Sequence, residues 1–157
     1  MRAENYVVNN SFQRRNSLLV LGWRELISLP DLKIPAIKAK IDTGARTSCL
    51  HAFDIEPFLE NGRLKVRFLI CPFQKRRDRA INCCTDVTDR RAVKDSGGHW
   101  QLRYVISTTL LISGRKWLIE VALTDREEMK FRMLIGRNAL KEHVIIDPSK
   151  SYVTRKT

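Results

Sequence analysis

Apolar residues in this chain recur at every second position more often than at every third or fourth. Ala36 to Ile41 alternates apolar residues with Lys38 and Lys40, the pattern of a half-exposed strand. Arg63 to Phe68 alternates strictly before Leu69 and Ile70. Ser17 to Leu29 is a longer run of strand-like content, in which Gly22 marks a bulge or bend. Pro30-Asp31 reads as a turn, and Pro35 confines the next strand's start to an edge or first position. Cys49 to Phe53 reads as a short strand. Asn61-Gly62 and Ser113-Gly114 read as hairpin turns, the second between Thr108–Ile112 and Lys116–Leu123. Met133-Leu134-Ile135 is short and wholly apolar, which predicts a buried strand. Asn138 to Glu142 can make one helical turn after it. Val144–Asp147 and Ser151–Val153 read as closing strands around Pro148. No helical period persists over ten residues, and there is no repeat or low-complexity segment. The pattern predicts an all-β domain of short strands, a barrel or a sandwich. It spans residues 18–157, behind a flexible tail of residues 1–17.

Composition narrows this picture. A chain of 157 residues with 43% hydrophobic content suits one domain with one core. Lysine and arginine number 29 against 17 aspartates and glutamates, a net charge of +12. Such a balance favours a polyanionic partner: nucleic acid, an anionic membrane surface or an acidic peptide. The N-terminal stretch is polar, without the apolar core of a secretory signal, and no apolar run is long enough to span a membrane. The four cysteines (Cys49, Cys71, Cys83 and Cys84) include no Cys-x-x-Cys pair, which fits reduced thiols and a cytoplasmic location.

Candidate chemistry centres on Ile41-Asp42-Thr43-Gly44-Ala45, where a strand delivers an aspartate onto a Thr-Gly turn. Alone it also fits an ordinary turn without chemistry. Roughly ninety residues later comes a second feature, Leu134-Ile135-Gly136-Arg137-Asn138-Ala139-Leu140. Between them Asp95-Ser96-Gly97-Gly98 makes a loop tip between two polar extended arms. Zinc would need three or four convergent donors. The candidates (Cys49, His51, Cys83, Cys84, His99 and His143) are scattered, so neither metal nor cofactor is expected. Cys83 and Cys84 fit opposite faces of a strand. Trp23, Trp100 and Trp117 read first as packing residues.

These two motifs, in this order around a glycine-tipped hairpin, resemble the retropepsins, the single-lobed aspartic proteases. Ala39 to Ser48 and Leu123-Thr124-Asp125-Arg126 are more narrowly similar to a bacterial family that includes RimB, encoded beside the glutamate ligase RimK. That family is labelled an ATP-dependent zinc protease. The sequence holds no Gly-x-x-x-x-Gly-Lys-Ser/Thr loop for ATP and no His-Glu-x-x-His helix for zinc.

The resemblance implies a closed retropepsin-like β-barrel with one short C-terminal helix. It implies a homodimer in which Asp42 of each chain supplies half of a catalytic pair. Thr43 would brace the loop across the two-fold axis, and Gly44 would let substrate backbone approach. Residues 86–106 would form a flap over the substrate, tipped by Ser96, Gly97 and Gly98, and Ala45 would help bind the substrate. Retropepsins commonly carry an aspartate where this chain has Arg46, and that aspartate pairs with the arginine of Gly-Arg-Asn. Here Arg46 and Arg137 would lie together without a counter-charge unless an anion sits between them. Arg90, Arg91 and Lys94 would add to the positive field. The expected substrate is therefore an acidic peptide, such as a glutamate tail on a ribosomal protein. Arg46 could instead face solvent or pair with Asp54 or Glu56. The rival readings are a non-catalytic basic barrel that binds nucleic acid or the ribosome, and a zinc-dependent peptidase.

Overall fold

The computed structural model describes residues 18–73, 77–94, 97–127 and 129–154. The expected tail, residues 1–17, lies outside them, as do Lys75, Arg76, Asp95 and Ser96. The described chain is all-β apart from two single 3-10 turns and one four-residue helix. Its strands are β1 (Leu19–Leu21), β2 (Arg24–Leu29), β3 (Ile34–Ile41), β4 (Ser48–His51), β5 (Phe53–Glu60) and β6 (Arg63–Ile70). They continue as β7 (Ile81–Asp86), β8 (Asp89–Lys94), β9 (Trp100–Ile112), β10 (Arg115–Thr124), β11 (Met133–Ile135) and β12 (Val144–Ile146). Helix α1 (Arg137–Leu140) follows β11 directly.

The largest sheet runs β10-β4-β11-β3-β2-β9-β8, and β9 also pairs with β10. Six strands therefore form a ring of pairings, the barrel that the alternating pattern anticipates. Its interior is the apolar half of each alternation. Along β3 the residues Ile37, Ala39 and Ile41 are buried, whereas Lys38 and Lys40 are exposed. Phe68, Leu50, Ile106, Leu110, Met133 and Ile135 complete the same cluster. Burying each large apolar side chain contributes roughly 1.5–3 kcal/mol.

A three-stranded sheet, β5-β6-β7, packs its inner face on this core through Val66, Phe68, Ile70 and Cys83. Cys83 is buried and Cys84 exposed, the opposite faces expected of neighbours in a strand. Both hairpins fall where the Asn-Gly and Ser-Gly pairs place them. Asn61 and Gly62 have φ of 51° and 76°, Ser113 and Gly114 50° and 76°, the left-handed pairs of tight hairpin turns.

Two segments differ from expectation. The run 17–29 is split into β1 and β2, because Gly22 lies against the carbonyl of Lys150 with no room for a side chain. Ser151–Val153 is not a strand. Its amides are taken individually, Tyr152 N–H by the Arg24 carbonyl and Val153 N–H by the Glu25 carboxylate. Glu25 is fully buried and also accepts from Thr154 N–H, so one carboxylate anchors the end of the described chain. Among the described residues no helix is long and apolar enough to cross a membrane.

Candidate active site

Strand β3 ends on Asp42, and β11 runs parallel beside it with Ile135 opposite Ile41. The Asp42 N–H donates to the Ile135 carbonyl at 2.8 Å, which extends the strand pairing one residue into the loop. The loop then turns back on itself. Gly44 N–H donates to Asp42 Oδ1 at 3.0 Å, and Ala45 N–H to the Asp42 carbonyl at 3.3 Å. Asp42 is half-buried, whereas Thr43 and Gly44 are exposed. One carboxylate oxygen is thus fixed by a backbone donor on a rigid strand end.

The Gly-Arg-Asn segment locks this loop from behind. Gly136 N–H donates to the buried Ser48 Oγ at 3.0 Å. A Cβ at position 136 would lie 2.8 Å from the backbone of Thr47, so only glycine allows the two loops to touch. Arg137 N–H and Asn138 N–H donate to the carbonyls of Ala45 and Arg46, at 2.8 and 3.1 Å. The Arg137 guanidinium donates to the carbonyls of Thr43 and Gly44, at 2.9 and 3.0 Å.

The sequence reading sets Arg137 beside Arg46, facing an anion. The two segments do interlock, but the Arg137 guanidinium is occupied by the loop it braces. Arg46 is exposed and has no ion pair among the described residues. Asp54 and Glu56, its alternative partners, line a separate hollow with Arg67 between β5, β6 and β7.

The hairpin of β8 and β9 forms an edge of the large sheet, paired from Asp89–Val105 to Lys94–Trp100. Gly97 and Gly98 are exposed at its tip, and Gly98 takes φ +85°. Ser96 lies outside the described residues. Trp100 is 68% exposed, not packed, with the Lys94 ammonium 6.0 Å from its ring centre. Trp117 does pack, donating its indole N–H to the Ala139 carbonyl.

One contact that the sequence does not disclose joins hairpin to loop. Arg91 of β8 donates to Thr47 Oγ1 at 3.2 Å while pairing with Glu120 at 2.7 Å and Asp89 at 2.8 Å. Arg91 is therefore neutralised by two carboxylates and adds little to a free positive field. Its guanidinium in turn holds the Asp89 carboxyl below the ordinary range, helped by the Arg90 N–H.

Cys49 and His51 are both buried, and His51 Nδ1 accepts from the Arg126 N–H. Among the described residues no three of His, Cys, Asp and Glu gather into a metal-binding group. Among the described residues the donor set thus does not fit zinc.

Known proteins agree with this architecture. A structure of Lpg0085, a protein of unknown function from Legionella pneumophila, superposes with a TM-score of 0.74. It covers 87% of this chain and 98% of its own, at 23% identity, and so shares the fold. Proteins of Shewanella pealeana and Desulfotalea psychrophila, each named "Probable alpha-L-glutamate ligase", are 41% and 42% identical over 133 and 130 residues. Those alignments take in 85% and 83% of this chain but only 29% and 28% of the longer relatives. The family model described as "Retropepsin-like aspartic endopeptidase RimB" matches residues 20–157. The chain thus belongs to the RimB-like family of retropepsin-like aspartic endopeptidases.

Proposed function

We propose that this chain is an aspartic peptidase that works as a homodimer and cleaves acidic, glutamate-rich peptides. The observation that carries the reading is the fixed, half-buried carboxylate of Asp42 on a loop latched by Gly136, Arg137 and Asn138. The sequence offers one Asp-Thr-Gly, so a second Asp42 comes from a second chain. Exposure of Thr43 and Gly44 leaves the loop free to meet its counterpart. Val20 and Ile145, paired side by side on β1 and β12, are both exposed and offer an apolar face for a second chain.

Two carboxylates brought together cannot both ionise, so they share one proton. The ionised member takes a proton from water, and the protonated member polarises the scissile carbonyl. The water oxygen bonds to the carbonyl carbon, the C–N bond breaks, and a proton passes to the leaving nitrogen. The two ionisations belong to the pair, which makes the pH profile bell-shaped.

Support for an acidic substrate comes from Arg46, exposed and without an ion pair among the described residues beside the catalytic loop. The relatives named as glutamate ligases combine a region similar to this chain with a much longer sequence. A glutamate-removing module would act on the product of such a ligase. The ligase name itself rests on proteins of which this chain spans less than a third.

The decisive experiment is Asp42→Asn. It should abolish cleavage of a glutamate-rich peptide while melting temperature and dimer mass stay unchanged. Retained cleavage would remove the aspartic mechanism. Arg46→Glu should erase the preference for acidic over neutral peptides.

A further inference from the structure

A cavity of about 430 Å³ opens on the outer flank of β2 and β3, away from the Asp42 loop. Four of its lining residues are cationic: Arg24, Lys38, Lys130 and Arg132. No acidic residue among the described ones lines it. The Arg24 guanidinium is sandwiched between Trp23 and Tyr152, 4.5 and 4.9 Å from their ring centres. The stacking fixes the direction of its planar fork. Arg24 Nε and Arg132 Nε are buried, yet no hydrogen-bond partner reaches them among the described residues. A carboxylate seated against these guanidinium groups would take charge-assisted hydrogen bonds from their outer N–H groups.

We propose that this cavity is a docking site for the acidic flank of a peptide substrate, separate from the catalytic loop. The identity of the substrate rests on the peptidase reading above; the anion preference rests on the cavity alone. Three features favour a carboxylate-bearing peptide. The volume lies within the usual range of small-ligand sites, far more than one phosphate needs and too little for a folded nucleic acid. Arg24 already lies over Trp23 and Tyr152, and Phe131 meets Trp23 edge-on. That leaves Phe73, 52% exposed, as the open ring, where single-stranded nucleic acid wants several. Two of its lining residues lie on chain segments that lead to the Asp42 loop. Lys38 precedes Asp42 on β3 by four residues, about 13 Å of strand. Arg132 immediately precedes β11, whose far end adjoins the same loop. An extended acidic chain held at Lys38 and Arg132 would therefore place a bond some four residues away near Asp42.

The test uses the full chain carrying Asp42→Asn, so that no cleavage intervenes, and fluorescein-labelled hexaglutamate followed by anisotropy. Adding Lys38→Gln and Arg132→Gln should weaken binding about tenfold, and neutral hexaglutamine should bind at least as poorly. Lys38→Gln alone lies on the exposed face of β3 and keeps the test open if the double variant unfolds. It should weaken binding about threefold. Unchanged affinity in a folded variant would overturn the proposal. So would displacement of the peptide, at equal or lower concentration, by inorganic phosphate or by an oligothymidylate. Failure of the peptidase reading looks different: hexaglutamate binds and depends on Lys38, yet the native chain cleaves nothing. Conversely, cleavage with an unchanged KM in the cavity variants would keep the peptidase and remove the docking site.

Discussion

Arg137 reaches back across more than ninety residues of sequence to hold Thr43, its guanidinium 2.9 Å from the Thr43 carbonyl and 3.0 Å from that of Gly44. The residue that could have faced substrate instead fixes the backbone that carries Asp42. Arg137→Ala should lower stability by roughly 1.5 kcal/mol and cut turnover at least about tenfold, because the loop loses two charge-assisted contacts. Arg137→Lys should recover only part of the loss: both bonds come from the single Nη1, and a flexible ammonium lacks the planar guanidinium's fixed direction. Thermal melts together with peptide turnover check both statements.

Gly136 sets how closely the two loops approach. An added Cβ would meet the Thr47 carbonyl carbon at 2.8 Å and the Ala45 oxygen at 2.9 Å, both backbone atoms unable to step aside. Gly136→Ala should destabilise by about 1–3 kcal/mol, read from urea unfolding, and should broaden or shift the amide signals of residues 42–48.

Arg91 couples the hairpin to the Asp42 loop through Thr47, and its ion pairs are partly exposed. Exposed pairs contribute little to stability, typically about 0–1 kcal/mol. Arg91→Gln should therefore leave the melting temperature nearly unchanged. The peptide KM should rise about threefold, because the hairpin base is no longer held to Thr47. Raising the salt should reduce the difference between variant and native protein.

Glu25 predicts a contrast between two substitutions. Its buried carboxylate accepts from Val153 N–H, Thr154 N–H and Thr154 Oγ1. Glu25→Ala should cost about 2–3 kcal/mol and expose the segment after Asp147 to protease. Glu25→Gln should be milder, because the amide keeps one accepting oxygen.

Asp31 gives the pH prediction. The Thr109 side chain and then its N–H hold the Asp31 carboxyl below the ordinary 3.8. A depressed native value means the unfolded state binds the proton first as pH falls. The contribution is therefore complete well above pH 3.8 and is lost as the pH falls through the lower native value. Asp31→Asn should melt below the native protein at pH 7, and the gap should narrow as the pH falls below 3.8. Asp31 is almost fully solvated, so the effect is a small one.

Much of this was legible because it is local. Alternation marks the strands, and Asn61-Gly62 and Ser113-Gly114 mark turns whose left-handed φ values follow from residue type. Asp42 and Gly136 were legible as motifs, since a strand-ending aspartate and an obligatory glycine each leave a short signature. What stayed hidden depends on pairs distant in sequence. Nothing around Glu25 announces that its carboxylate will meet Thr154, and nothing around Arg91 announces Thr47 or Glu120. Arg137 misled for a related reason: its charge is visible in sequence, but the backbone carbonyls that engage it are not. Trp100 shows the same limit, because a large ring in an alternating strand reads as core until the strand projects beyond the barrel.

The ring of strands is not evenly stitched. β9 and β10 share eight paired positions, whereas β2 meets β9 at the single pair Ser28–Leu111. The Asp31–Thr109 hydrogen bond lies beside that join and acts as its button. Breathing of the barrel should therefore start as an unzipping along this seam, with the Ser28 amide exchanging deuterium well before those along the β9–β10 pairing. A cylinder with one weak seam can flex in girth without disturbing the Asp42 loop, which hangs from the β3–β11 join on the other side of β2.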